Sequence, residues 1–359
     1  MDPEFLTVNH GSFGAAPVRV LAAQEEWRRQ MESQPTRFMS RLPEALRAAA
    51  SVLGQFLGAR GEDIAFVDNA TSGCNAVLRS LTLEPDDEIL VLDHGYGAVR
   101  NTVRYVAERA GARMTEARVP FPEGDVVERV AAALTSRTRL AVLDHITSAS
   151  AMVLPVAEIA AVCRAACVPV LVDGAHGPGQ IGLDVSTLGV DWYTGNCHKW
   201  LCAPKGSAFL WTAPARQTGL HPVTISHGLG KGYLEEFDWT GTRDPSAVLS
   251  VPAAIAFHQD LGGASMRARN IALAAEAAAL MARLLNTEAP PGEAAMRLVR
   301  LPAQAGTEAL AVRARLLAAG TDAPVHAIDG ALWLRLSAFA YNELEDYERL
   351  AGIVREQLA

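Results

Sequence analysis

Two short motifs hold the residue types best suited to chemistry in this chain. Asp173-Gly174-Ala175-His176 follows one apolar run, and His198-Lys199 follows another 26 residues after that aspartate. A carboxylate at the end of an apolar segment can keep a heteroaromatic nitrogen protonated. A lysine between Cys197, His198, Trp200 and Leu201 sits in a setting too apolar for a solvated ammonium, so its amine is lowered in pKa and nucleophilic. Such an amine forms Schiff bases with aldehydes.

The elements that must position these groups are legible as a rhythm. Between residues 63 and 212, short apolar, β-branched runs alternate with amphipathic stretches. Strands are predicted over 63–68, 88–93, 112–119, 140–145, 168–173, 190–194 and 206–211, and helices over 98–110, 125–134 and 156–166. This β-α-β alternation predicts an α/β fold with a mostly parallel seven-stranded sheet between helices. Residues before about 55 read as helical, with Val18, Leu21, Ala22 and Trp27 at helix spacing. After Pro252 a long Ala-rich helix over 271–285 leads to a strand over 296–301, another helix and a strand over 332–337. Asn342 with Glu345 three residues later announces a last helix through a capping-box variant. The predicted division is a large domain over 15–250 and a smaller α+β domain over 251–359, joined by the N-terminal residues 1–14.

Composition narrows the function classes. The chain has 359 residues, half of them hydrophobic, and a net charge of −8 with acids and bases interspersed. No basic stripe suggests nucleic acid, and neither a membrane span nor a secretion signal is read. The five cysteines read as reduced thiols of a cytoplasmic protein. Cys163 and Cys167, four apart in a helical pattern, read as a buried helix-face pair, and no metal site is expected.

Open α/β sheets bind ligands beyond the carboxyl ends of their strands. Four polar groups stand at such ends. Asn69-Ala70-Thr71-Ser72-Gly73 opens a helix whose N–H groups suit a phosphate; His145, Asp173 and His198-Lys199 follow three other strands. Each has a plainer reading alone: Asp173 as a turn residue, Lys199 as a surface lysine, His145 as a core histidine, Thr71 as an N-cap. Their alignment on one rim favours a joint purpose. An acid for the ring nitrogen, an amine for the aldehyde and a phosphate grip together indicate pyridoxal 5′-phosphate (PLP). The glycine-rich run Gly228-Leu229-Gly230-Lys231-Gly232 lacks the spacing of a nucleotide-binding loop.

At these residues the chain resembles class V aminotransferases, the PLP-dependent group of fold type I that includes cysteine desulfurases. The resemblance lies in Val172-Asp173-Gly174-Ala175-His176 and Gly195-Asn196-Cys197-His198-Lys199. Asn9-His10-Gly11-Ser12-Phe13-Gly14, Asp144-His145-Ile146-Thr147-Ser148 and Trp239-Thr240-Gly241-Thr242-Arg243-Asp244 are similar to isopenicillin N epimerases and their relatives. It implies that Lys199 holds PLP as a Schiff base, that Asp173 pairs with the pyridinium nitrogen and that His176 lies near the phenolic oxygen. It further implies that His145 stacks on the ring, and that the N–H of Ala70, Thr71 and His198 grip the phosphate. Thr242 would reach the phosphate from a neighbouring subunit, implying a homodimer. Arg335 matches the arginine that binds the substrate α-carboxylate, for which a guanidinium fork is suited, and Asn9 and His10 would line the substrate entrance.

The resemblance implies a small amino acid or peptide-like substrate and an isopenicillin N epimerase-like reaction, with C–S lyase and aminotransferase activities as alternatives and a non-catalytic binding relative as a remote one. A cysteine desulfurase needs a thiol on a mobile loop ahead of the carboxylate-binding arginine, and no cysteine follows Cys202. Cys197 is expected to pack and not to react. His94, Tyr96, Arg37, His221, His227 and Arg243 are candidates to meet a distal polar group of the substrate.

Overall fold

The computed structural model describes residues 1–302 and 307–358. Seven strands form the large sheet: β1 (Ile64–Val67), β2 (Glu88–Leu92), β3 (Arg113–Ala117), β4 (Thr138–Asp144), β5 (Val170–Asp173), β6 (Trp192–Asn196) and β7 (Ala208–Thr212). Their order is β1-β7-β6-β5-β4-β2-β3. The pairs β2–β3, β2–β4, β4–β5 and β5–β6 are parallel, while β7 runs antiparallel to both neighbours. All seven predicted strands exist, each within about two or three residues of its expected start.

Strands buried on both faces read as continuous apolar runs, and the pleat sorts their residues into two cores. Leu90, Leu92, Ala141, Leu143, Val170, Val172 and Tyr193 pack on one side with the helix Pro35–Leu57 and its neighbours. Ile89, Val91, Leu140, Val142, Leu171 and Trp192 pack on the other, with Cys74, Val77 and Leu78 of the helix Ala70–Arg79. This alternation decides below which side chains can share a site. The helix Ala70–Arg79 comes so close to the sheet that a Cβ on Gly73 would lie 2.2 Å from Thr194 Oγ1, so only glycine fits there.

A second sheet, ordered β8-β10-β9, contains β8 (Met296–Arg300), β9 (Val325–Ile328) and β10 (Ala331–Ser337), all antiparallel. β9 was not expected. It is four residues long, with His326 half-buried and Ala327 exposed between Val325 and Ile328, so no apolar run announces it. Leu6 and Val8 of the N-terminal segment pack into the core of this sheet, with Leu273, Leu334 and Val354. No described helix is long and apolar enough to cross a membrane.

Three local expectations are corrected. The Ala-rich helix begins at Ala264, seven residues before the predicted start. The final helix, Leu344–Leu358, is capped one residue later than Asn342-Glu345 suggested: the Asp346 carboxylate accepts the Glu343 N–H at 3.1 Å, three residues behind it. Cys163 is buried, but Cys167 lies beyond the end of its helix, exposed and at φ +58, so the two thiols share no helix face.

Candidate active site

β1, β4, β5 and β6 present their carboxyl ends to one rim, and a cavity of about 400 Å³ opens there. Its wall includes Thr71, Tyr96, Asp144, Asp173, His198 and Lys199. Asp173 ends β5, paired in register with Asp144 of β4 and Thr194 of β6. These three residues point to the face covered by the helix Ala70–Arg79. The Asp173 Oδ1 accepts the Ala175 N–H at 3.0 Å. Its Oδ2 makes no hydrogen bond to the described residues. Burial raises the pKa of Asp173, and that of Asp144 is raised further by burial and by the neighbouring Asp173 charge.

Lys199 stands just past β6. Burial lowers its pKa to about 8, against the ordinary 10.5, with Arg335 pushing the same way and Asp173 and Asp144 opposing. That shift is roughly 3 kcal/mol of bias toward the neutral amine. The Lys199 Nζ lies 3.3 Å from His176 Nε2, and the Trp200 indole N–H donates to His176 Nδ1 at 3.3 Å. The chain has only three lysines, Lys199, Lys205 and Lys231, and of these Lys205 Nζ donates to the Gly14 carbonyl.

The phosphate end differs in detail from expectation. Asn69, not Thr71, caps the helix, accepting the Ser72 N–H at 2.9 Å, which leaves Thr71 free in the cavity wall. The Ala70 N–H is engaged by Asn196 Oδ1 at 2.9 Å, so it is no open donor. His198 Nδ1 bonds the Ser207 carbonyl at 2.9 Å, leaving Nε2 as its remaining polar atom.

His145 is a correction. It follows Asp144 on β4, so the pleat turns it to the opposite face, where its Nδ1 meets the Tyr193 hydroxyl at 2.9 Å. The phenyl-type rings in the cavity wall are those of Tyr96, from the loop after β2, and Phe13. Tyr96 shares this wall with the Asp144 carboxyl.

Arg335 is buried on β10. It donates to the Ser148 carbonyl, to Asn9 Oδ1 at 3.1 Å and to Ser12 Oγ at 2.9 Å, while its Nε is buried with no partner among the described residues. Ser12 and Ser148 both line the cavity. Asn9 and His10 are supports and do not form the cavity wall. Asn9 Nδ2 donates to Asp322 at 2.6 Å, and Asp322 is held by both nitrogens of an Arg313 fork. His10 stacks on Phe339 at 3.8 Å and bonds the Lys199 carbonyl at 3.1 Å. Thr242 is exposed and outside the cavity wall. Of the candidate distal contacts only Tyr96 reaches the wall; His94 bonds Ser150, His221 pairs with Glu236 and Arg243 with Asp68.

The described residues fit PLP: a buried carboxylate with one free oxygen, an amine biased to neutrality, and a helix N-terminus with Thr71 and His198 facing the same space. The model of the aminotransferase class-V family matches residues 14–313. The chain belongs to the class-V aminotransferase family. Its cofactor is accordingly PLP, and it is an enzyme. This family member is 33% identical to the isopenicillin N epimerase of Streptomyces clavuligerus, over 98% of this chain and 94% of that one. It is also 32% identical to a probable chloroplastic L-cysteine desulfhydrase of Arabidopsis thaliana, over 99% and 84%. The solved structure of the cystine C–S lyase C-DES with cysteine persulfide superposes with a TM-score of 0.85 at 24% identity, covering 98% and 97% of the two chains. That likeness supports the fold.

Proposed function

We propose that this protein is a PLP-dependent enzyme acting at the α-carbon of an amino acid or a peptide-like amino acid, isopenicillin N epimerase-like. The observation that carries the reading is Lys199: a buried amine, lowered to about 8, beside Asp173 in the cavity wall. When bound, PLP supplies an aldehyde for amine attachment and a ring that accepts the electrons released at Cα. Asp173 holds the proton at the ring nitrogen. Lys199 would anchor the cofactor and would serve as the general base that takes the Cα proton. Arg335 orients the substrate through its α-carboxylate, held in place by Asn9, Ser12 and Ser148. Thr71 and His198 would hold the phosphate, and Tyr96, in the cavity wall, would lie against the cofactor ring in place of His145.

The protein is read as a cytoplasmic homodimer in which the partner copy's equivalent of Thr242 completes the phosphate site; exposure of Thr242 supports this. The smaller domain is read as residues 251–359 with 1–14 joined to it; Leu6 and Val8 in its core support the N-terminal part, whereas Val251, Ala254 and Ile255 pack in the core of the large sheet.

A second reading, β-elimination from a cysteine-like substrate, is favoured by the residue set. Lys199 is the one amine among the cavity-wall residues, and a lyase needs one base at Cα where an epimerase must deliver a proton to the opposite side. A desulfurase route is poorly served: Cys197 is fully buried with its thiol pKa pushed up, and burial raises Cys202 to about 12.

The test is incubation with a panel of L-amino acids in deuterated water, including a β-thioether and a peptide bearing an aminoadipyl group. Deuterium at Cα with the opposite configuration appearing is the expected result. Pyruvate as the main product overturns epimerisation in favour of the lyase. No exchange with any member overturns both.

A further inference from the structure

We propose that Trp200 is a positioning residue for Lys199: its indole N–H fixes the tautomer of His176, so that His176 presents a hydrogen-bond donor to the Lys199 nitrogen. The inference rests on the function above only in that Lys199 carries the cofactor.

The argument is one of donors and acceptors. An indole nitrogen can only donate. Because Trp200 Nε1 donates to His176 Nδ1 at 3.3 Å, that atom carries no proton. A neutral imidazole must then carry its proton on Nε2, the atom 3.3 Å from Lys199 Nζ. A lysine ammonium facing it would set donor against donor, whereas a neutral amine can accept. The opposite tautomer would aim two N–H groups at each other across the Trp200 contact.

The indole is not free to turn away. Trp200 is 1% exposed, its ring lies 5.1 Å from that of His10 and 6.3 Å from Phe339, and a Cβ on Gly11 would lie 3.1 Å from it. His176 is equally fixed, buried, with its carbonyl accepting from Gln180 Nε2 at 2.8 Å. The charged groups around the pair are Asp173 and Asp144 at the ends of β5 and β4, and Arg335 on β10.

The test uses the PLP-loaded enzyme labelled with ¹⁵N-histidine, with His176 assigned by comparison with His176→Asn. Wild type is expected to hold the proton on Nε2 between about pH 6.5 and 9. In Trp200→Phe the ring remains but the donor is gone, so Nε2 can offer its lone pair and favour a protonated Lys199 nitrogen. The pH midpoint of the Lys199-dependent visible band is then expected to rise by about half to one unit, the size of one modest hydrogen bond. A wild-type proton on Nδ1 overturns the proposal without any variant having to fold. So does a Trp200→Phe enzyme in which either the tautomer or the midpoint is unchanged. Absence of any Lys199-dependent band counts against the PLP reading instead, and the wild-type tautomer still decides this one.

Discussion

Asp144 and Asp173 are register partners at the ends of β4 and β5, and both carboxyls enter the cavity from the same face of the sheet. Two buried carboxyls so placed do not both ionise readily. Burial raises both, and the Asp173 charge raises Asp144 further, so Asp173 is the anion of the pair. That matches the division of labour proposed here, with Asp173 and not Asp144 at the ring nitrogen.

The two carboxyls should therefore differ sharply on substitution. Asp173→Asn is expected to lower turnover by about 10²–10³-fold, the usual size for removing one charge that stabilises a transition state. Asp144→Asn removes a carboxyl that burial and the Asp173 charge already hold toward its neutral form, and should lower it by less than about tenfold. Steady-state kinetics on the two purified, PLP-loaded variants check this; equal losses would contradict the assignment.

Arg335 should act on binding. Arg335→Lys loses the fork and is expected to lower kcat/KM by about 10²-fold, mainly through KM, because charge-assisted bidentate pairs are worth a few kcal/mol. Asn9→Ala leaves the guanidinium present but unsteadied and should lose about tenfold. An unchanged KM in Arg335→Lys would remove Arg335 from the carboxylate site.

Cofactor uptake should report the Lys199 pKa. Below it the amine is protonated and unreactive; a lowered pKa makes the neutral form available at lower pH. The rate at which PLP-free protein gains its visible band is expected to rise with pH and level off around a midpoint of about 8. A rate still climbing in proportion to hydroxide at pH 10 would indicate an ordinary, solvated lysine.

Gly14 ties the N-terminal segment to the reactive lysine. At φ +66, a Cβ there would sit 2.1 Å from the His198 carbonyl and 2.6 Å from that of Lys199. Gly14→Ala is expected to cost about 2–4 kcal/mol and to weaken PLP retention, as backbone must move. Urea unfolding with a loss under about 0.5 kcal/mol would show that the segment yields freely.

The sequence made Asp173 and Lys199 legible because each closes an apolar run long enough to be a buried strand. The same burial hid the face of His145. When both sides of a strand are apolar, the hydrophobic pattern does not say which side carries the ligand, and only the β4–β5 register with Asp173 resolves it. Asp144, in the same run, is hidden in the same way. Asn9 and His10 were noticed through their motif, but their work as supports for Arg335 and the Lys199 carbonyl depends on contacts more than 180 residues apart. Trp200 read as apolar packing, since nothing local reveals that its N–H meets a histidine 24 residues away. β9 stayed invisible because it is short and half-exposed.

Sodium borohydride reduction of the PLP-loaded protein, followed by peptide mass mapping, tests the central claim most directly, because the chain offers only three lysines. The pyridoxyl mass should appear on the peptide containing Lys199 and on no other. Its appearance on Lys205 or Lys231, or its absence from all three, would contradict the account.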